Sequence, residues 1–264
     1  MNNLQPIHIG RVNWIGLQAL IRKECGRFLS VGAQTVLTPV VSSLLFYAVF
    51  SLAFGGNGRS IGEVPYMTFL APGLIMMAMI QNAFANTSSS LMVAKIQGNI
   101  VDILMPPLNA LELLTGLLIG GLTRGLLIGV LGSLALSYFA GFGLAHLWAV
   151  LYYAVTGCFA LALLGIIAGV WSEKFDHLAT FTNFIIMPLT FLSGTFYAVS
   201  QLPDIWYNIA LVNPFFFMID GFRYGLIGQH EASIFRGALI MLIVNIGLFG
   251  VTWNMIRKGY KIKS

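Results

Sequence analysis

Apolar residues run almost unbroken over six stretches, at roughly 31 to 54, 64 to 91, 113 to 139, 144 to 171, 178 to 196 and 234 to 256. A hydrocarbon layer about 30 Å thick is crossed by about 20 helical residues, so each stretch predicts one membrane-spanning helix. None shows the short alternating apolar and polar segments that a membrane barrel requires. The expected fold is an all-α membrane protein with six transmembrane helices.

Two segments outside these stretches carry their own patterns. Near the N-terminus, Trp14, Leu17, Ile21, Cys25 and Phe28 recur at intervals of three and four residues, while Arg22, Lys23 and Arg27 fall elsewhere around the helix. That pattern predicts an amphipathic interfacial helix along the cytoplasmic membrane surface; a helix docked on a partner protein is the alternative. Residues 197–233 are rich in aromatic residues but interrupted by Pro203, Asp204, Asn213, Pro214, Asp220 and Arg223. A single spanning helix cannot carry those interruptions. Two short re-entrant external helices, broken at Asn213-Pro214 and followed by the last span, keep the irregular backbone within protein.

Composition changes the picture mainly by excluding classes. Of 264 residues, 58% are hydrophobic and 9% charged, and the mean hydropathy is +0.85, far from the composition of a soluble domain. The net charge of +5 does not signal nucleic acid, because the cations gather in the tails rather than on one folded face. Arg11, Arg22, Lys23, Arg27, Lys95, Lys174, Arg257, Lys258, Lys261 and Lys263 all fall on one side of a six-span topology, and Arg59, Arg223 and Arg236 on the other. The positive-inside bias then places both termini in the cytoplasm. The first thirty residues lack a continuous apolar core, so no cleaved signal peptide is expected. Cys25 and Cys158 belong to no C-x-x-C pair or His-bearing cluster, and neither a disulfide nor a metal site is expected.

Motifs for bond chemistry are weak. Gly58-Arg59-Ser60-Ile61-Gly62 fits G-x-S-x-G, but it sits in a short external loop without the strand-to-helix elbow that the chemistry needs. His230-Glu231 lacks the second histidine of a zinc-binding H-E-x-x-H. No Gly-Lys dipeptide occurs, so a phosphate-cradling G-x-x-x-x-G-K-[ST] loop is excluded, and an ATP-driven function calls for a separate ATPase. No catalytic residue is assigned.

Polar features inside the spans point to transport. Gln81, Asn82, Asn86, Thr87, Ser88, Ser89 and Ser90, with Phe84 among them, make a stripe that either bonds neighbouring helices or faces a translocation cavity. Arg124, mid-span, costs at least about 2.5 kcal/mol on insertion scales and calls for carbonyls, headgroups or a wet pathway. It lies in a glycine row, Gly121, Gly125 and Gly129, that serves either packing within one subunit or a dimer seam. Asn82, Phe84, Asn86, Thr87 and Arg124, with Phe181 and Phe184 from the fifth span, are the candidate pathway residues. Between the second and third spans, Ile96, Ile100 and Ile103 recur at helical spacing beside Lys95, Gln97, Asn99 and Asp102, ahead of Pro106-Pro107. A short amphipathic helix there suits a groove on another protein, or a lipid surface.

The order Met187-Pro188-Leu189-Thr190-Phe191-Leu192-Ser193-Gly194, Gln201-Leu202-Pro203, Asn213-Pro214 and Gly221-Phe222-Arg223 resembles the C-terminal signature of the permease subunits of ABC-2 type transporters, in the YadH-like branch of bacterial inner-membrane proteins. Lys95 to Pro107 and Ala71-Pro72-Gly73-Leu74 resemble further elements of that family, and the likeness covers nearly the whole chain. It implies one transmembrane domain over 1–264: a surface helix at 1–30, spans one to five at 31–196, the external re-entrant segment at 197–233, and the last span with its basic tail at 234–264. It implies a homodimer of permeases in the inner membrane carrying two cytoplasmic ABC ATPase subunits, which would hold the ATP and magnesium. Lys95, Ile96, Gln97, Asn99, Ile100, Asp102 and Leu104 would couple to the ATPase, and Phe191, Leu192, Phe196 and Phe215 would line the outer gate. The expected cargo is an amphipathic small molecule or lipid, with a glycan as a further option. An ion-driven secondary transporter or a membrane-embedded lipid-modifying enzyme is the alternative, each needing ionisable clusters that the spans do not display.

Overall fold

The computed structural model describes residues 10–54, 60–62 and 64–261; Gly58, Arg59 and Lys263, named above, lie outside them, as does the side chain of Leu104. Helix α1 (Trp14–Leu29) starts at Asn13, whose side chain accepts from the Gly16 N–H. A π-helical turn, Ala33–Leu37, leads into α2 (Thr38–Phe54). A small antiparallel ladder, β1 (Ser60–Ile61) on β2 (Val64–Pro65), joins it to α3 (Tyr66–Ile96). Ser60 of the G-x-S-x-G match therefore sits in a paired strand, opposite Pro65. Then follow α4 (Ile100–Leu104), α5 (Ala110–Ala140), α6 (Leu147–Trp171), α7 (Phe175–Phe181), a second π-turn (Thr182–Ile186), α8 (Met187–Phe191), α9 (Asp204–Val212), α10 (Pro214–Ile227) and α11 (Ile234–Lys258).

Among the described residues, five helices are long and apolar enough to cross a bilayer: Ala33–Phe54, Tyr66–Ile96, Ala110–Ala140, Leu147–Trp171 and Ile234–Lys258. The expected fifth span, 178 to 196, is instead three consecutive pieces of 7, 5 and 5 residues that stop at Phe191. Both π-turns stand just before a proline, Pro39 and Pro188. Proline has no N–H and its ring crowds the carbonyl four residues back, so widening the preceding turn relieves both problems. The break expected at Asn213-Pro214 is found there, where α9 and α10 meet at 84°. Asn213 caps α10 by accepting from Phe215 N–H, and its amide donates to Leu189 O, fastening the bend to α8.

Helix α3 is the central element, packed against α2, α5, α6 and α10. The glycine row of α5 is what lets three helices approach. A Cβ on Gly120 would lie 2.7 Å from Glu24 Cβ of α1, one on Gly121 2.9 Å from Thr87 Cγ2 of α3, and one on Gly125 2.7 Å from Cys158 Sγ of α6. Both cysteine thiols are free. The row therefore packs within this subunit, the first of the two readings open from sequence. On α6, Gly165 and Gly169 admit the α3 backbone in the same way, and Thr87 donates to Ala162 O at 2.8 Å across that seam.

Contacts sort the helix ends into two groups. At one end, Asn13 N–H donates to Glu112 Oε1, Lys95 donates to Ser172 O, and Lys261 donates to Glu173. At the other, Tyr66 OH donates to Phe196 O, Thr68 to Ala140 O, His146 N–H to Gly225 O, and Ser200 N–H to Glu231.

Helix α1 differs from its sequence reading in which face it hides. The buried row is Leu17, Leu20, Glu24 and Phe28, pressed on α5, while Trp14 is 65% exposed. Arg27, expected to point away, turns inward instead. Its guanidinium donates to Asn86 O at 2.7 Å and Asn86 Oδ1 at 3.0 Å. The reason is electrostatic: Glu24 is fully buried and needs a cation and donors nearby.

Candidate functional site: a cleft on α3 between the two ends of the bundle

One side of α3 is left open. Gln81, Asn82, Ala85 and Ser89 follow at helical spacing on that side, facing Leu178, Thr182, Ile186 and Met187 across a cleft of about 350 Å³. Phe84 lines it and stacks on Phe181, with centroids 5.8 Å apart and rings 7° from parallel. Asn82, Phe84 and Phe181 of the candidate pathway are thus brought together. Arg124 joins them from α5, donating to Asn82 Oδ1 at 2.7 Å. The others lie elsewhere: Asn86 is buried and holds Arg27, Thr87 faces α6, and Phe184 is 77% exposed on the outside of the bundle. Sequence reading did not single out Glu24 and set Arg27 on the opposite face, yet both reach this region from α1. A carboxylate set within the apolar row Leu17, Leu20, Glu24 and Phe28 was the available signal.

At the end marked by Tyr66, aromatic rings stack in series. Phe191 lies 5.7 Å from Phe196, Phe196 5.4 Å from Phe50, and Phe50 5.9 Å from Phe54. Phe50, Phe54 and Phe196 border an opening of about 410 Å³ with Tyr66, Tyr197 and Gln201. Phe191 and Phe196 of the expected gate therefore meet directly. Leu192 is partly covered beside them, and Phe215 is buried in the core at the head of α10. Phe50, Phe54 and Tyr66 were not singled out from sequence, because ring-to-ring contact across three elements leaves no local pattern.

The Gly221-Phe222-Arg223 signature anchors this end. Arg223, 1% exposed, lies 3.7 Å over the Phe69 ring and donates to Phe69 O and Gly194 O. Gly73 makes room for the chain at Thr195, whose carbonyl would lie 2.7 Å from a Cβ at that position. Asp220 accepts from Glu231 N–H and Ala232 N–H, both at 2.9 Å, and Arg223 Nη1 lies 3.9 Å from Asp220 and 3.8 Å from Glu231. One arginine thus ties α10, α3 and the loop after α8.

At the opposite end, α3 stops at Ile96 and Gly98 turns with φ +73° before α4. Lys95 donates to Val170 O and Ser172 O, satisfying carbonyls at the end of α6. Ile103 is buried, and Ile100 packs partly against the core. Ile96, Gln97, Asn99, Val101 and Asp102 are exposed, and Met105 is 75% exposed. The apolar row expected to face outward is therefore split: Ile96 is outside, Ile100 and Ile103 turn inward, and Val101 and Met105 take their place. Nearby, the Lys261 ammonium holds the Glu173 carboxyl below the usual range, and Glu173 in turn raises Lys261. Among the described residues, no group of three or more His, Cys, Asp or Glu is placed to hold a metal ion.

Comparison with known proteins agrees with this architecture. Residues 16–227 match the profile of the ABC-2 type transporter family. The chain is 32% identical over 252 residues to the inner membrane transport permease YadH of Escherichia coli (strain K12), covering 95% of this chain and 98% of that protein. It is 24% identical to nodulation protein J of Rhizobium leguminosarum bv. viciae, over 94% of this chain and 95% of the relative. It is 27% identical to nodulation protein J of Sinorhizobium fredii (strain NBRC 101917 / NGR234), over 76% and 80%. With a span-length helical bundle and a match over most of its length, the chain belongs to the ABC-2 type transporter family, as a membrane permease.

Proposed function

We propose that this chain is the translocating half of an ATP-driven exporter, working as a homodimer with two cytoplasmic ABC ATPase subunits that hold the ATP and magnesium. The observation that carries this reading is the reach of α3. One helix of 31 residues starts beside the aromatic cluster, lines the cleft with Asn82 and Ser89, and ends on the exposed segment before α4. A push on that segment is therefore delivered to the cleft along a rigid rod. The six-span reading takes α7, its π-turn and α8 as the fifth crossing and α9–α10 as the re-entrant external hairpin. The cations Lys95, Lys174, Arg257, Lys258 and Lys261 then face the cytoplasm with both termini, in a bacterial inner membrane.

In this reading Lys95, Ile96, Gln97, Asn99, Ile100, Asp102 and Leu104 form the coupling element. Its contact surface is Ile96, Gln97, Asn99, Val101, Asp102 and Met105, with Ile100 supporting from beneath. Phe191, Leu192 and Phe196, joined by Phe50 and Phe54, close the outer gate, with Phe215 in the core at the head of α10. The cargo is an amphipathic small molecule or lipid, because the cleft pairs Asn82 and Ser89 with Phe84, Ile186 and Met187. An ion-driven carrier needs a carboxylate free to exchange protons. Glu24 and Asp220 each have both oxygens engaged.

The test is co-purification with a cognate ABC ATPase. Val101→Glu with Met105→Glu should abolish association while leaving the permease monodisperse. ATPase binding that survives these changes together with Asp102→Lys would overturn the coupling assignment.

A further inference from the structure

Two helices, α1 and α5, bring positive charge to the rim of the α3 cleft. Arg27 of α1 donates to Ser89 Oγ at 3.2 Å, and Arg124 of α5 to Asn82 Oδ1 at 2.7 Å. Ser89 and Asn82 both line the cleft. Among the described residues the only carboxylate in contact with the group is Glu24, and its oxygens are already taken: Oε1 by Ser90 OH at 2.7 Å and Oε2 by Arg27 at 3.4 Å. Lys23 approaches Glu24 to 3.9 Å as well. Arg124 forms no ion pair among the described residues.

The hydrogen-bond inventory is lopsided in the same direction. Arg27 Nε, Asn86 Nδ2 and Arg124 Nε are buried without a partner, and all three are donors. Asn86 Nδ2 sits against α5, 3.2 Å from where a Cβ on Gly120 would be, one helical turn before Arg124. A surplus of cations and N–H donors within a membrane-embedded bundle is costly unless an acceptor with negative charge completes it. Guanidinium forks match phosphate and carboxylate oxygens. Next to the cluster, Phe84, Leu178, Ile186 and Met187 offer an apolar continuation of the same cleft.

We propose that Arg27 and Arg124 bind the anionic headgroup, a phosphate or carboxylate, of an amphiphile whose hydrocarbon part lies along Phe84, Leu178, Ile186 and Met187. The proposal rests on reading the cleft as the pathway and names the charge of what enters it. Ser89 lies seven residues before the end of α3, about 10 Å along the helix axis, so a headgroup drawn from the adjoining leaflet reaches Arg27 first and Arg124 further in. Arg27 is the more structural of the two, since it also satisfies Glu24 and Asn86, and Arg124 is the residue to change.

The experiment uses the purified full-length permease, without ATPase, in phosphatidylcholine nanodiscs, and measures saturable binding of radiolabelled dodecyl phosphate. Competitors are dodecyl maltoside, dodecyltrimethylammonium, inorganic phosphate, and phosphatidylglycerol included in the disc. Wild type should bind dodecyl phosphate in preference to the neutral and cationic amphiphiles. Arg124→Gln should weaken that binding about tenfold or more, and Arg124→Lys, which keeps the charge, should retain most of it. Competition by phosphatidylglycerol would identify the source of the headgroup as a bilayer lipid, and its failure to compete a transported amphiphile; both agree with the site. Equal displacement by dodecyl maltoside, or unchanged affinity in Arg124→Gln, would overturn it, and inorganic phosphate competing as well as dodecyl phosphate would overturn the amphiphile. Because binding is read without the ATPase, failure here leaves the coupling result intact, and failure of coupling leaves this one intact.

Discussion

Single residues with no side chain, or with an unusually buried one, decide how closely these helices meet. Gly125 is the clearest case, since any Cβ there lies 2.7 Å from Cys158 Sγ and 3.0 Å from Met79 O. Gly125→Val is expected to lower stability by about 1–3 kcal/mol through overpacking, read as a lower midpoint of thermal unfolding in detergent. Gly250→Ala, with nothing within 4 Å, should leave that midpoint unchanged or slightly raised. Arg223→Met should cost about 3–5 kcal/mol, because Asp220 and Glu231 would lose the cation between them and Phe69 O and Gly194 O would lose donors. Lysine at the same position has one ammonium to reach both carbonyls and should recover little of that loss.

Elements respond to local chemistry that periodicity does not capture. The proline at Pro188 widens the turn before α8, and that turn sets where Phe191 presents itself to Phe196. Pro188→Ala allows an ordinary α-helical turn, and re-registering the helix should separate the two rings. Cysteines introduced at 191 and 196 on the Pro188→Ala background should form a disulfide more slowly than on the wild-type background. Equal rates would show that the π-turn does not position the gate. Helix α1 depends instead on the bare face of α5: Gly116→Leu drives a side chain into Leu20. Amides of Trp14–Leu29 should then exchange faster with deuterium, while those of α6 should not.

Across the whole molecule, burial is uneven. The apolar window of α3 is 72% buried, against 17% for Ala33–Phe54 and 22% for Ile234–Lys258. Those outer faces are left to lipid or a second copy. If two copies share the pathway, the open side of the cleft and the neighbouring Phe184 must face the partner. Phe184→Cys should then cross-link between copies in membranes, whereas Phe235→Cys on α11 should not. At the basic end, the Glu173 to Lys261 pair fastens the chain after α11 to the end of α6. Glu173 titrates lower when folded, so its contribution is present above the ordinary carboxyl range and is lost as pH falls through the depressed value. Lys261 titrates higher when folded, so its contribution persists through neutral pH and is lost only in strong base. Hydrogen exchange near residues 259–261 should therefore be protected evenly from about pH 6 to 9 after correction for intrinsic rates, and less so below about pH 4.

Length and hydropathy alone determined that this chain is a helical membrane protein, because a bilayer admits few other arrangements of apolar residues. The break at Asn213-Pro214 was legible for a similar reason: a proline and its predecessor restrict the backbone wherever they occur. The polar stripe on α3 could be read as a stripe, yet its division between the cleft, with Asn82 and Ser89, and the helix seams, with Asn86 and Thr87, could not. Which neighbour a polar side chain meets depends on how glycine rows on α5 and α6 let other helices approach, and those neighbours are distant in sequence. The same holds for Glu24, Arg27 and Arg124, scattered over two helices and united only when α1 settles on α5 beside α3. Arg22 and Lys23 stay on the solvated face, but Arg27 turns in beside the buried Glu24 because packing, rather than periodicity, chose the face that α1 presents.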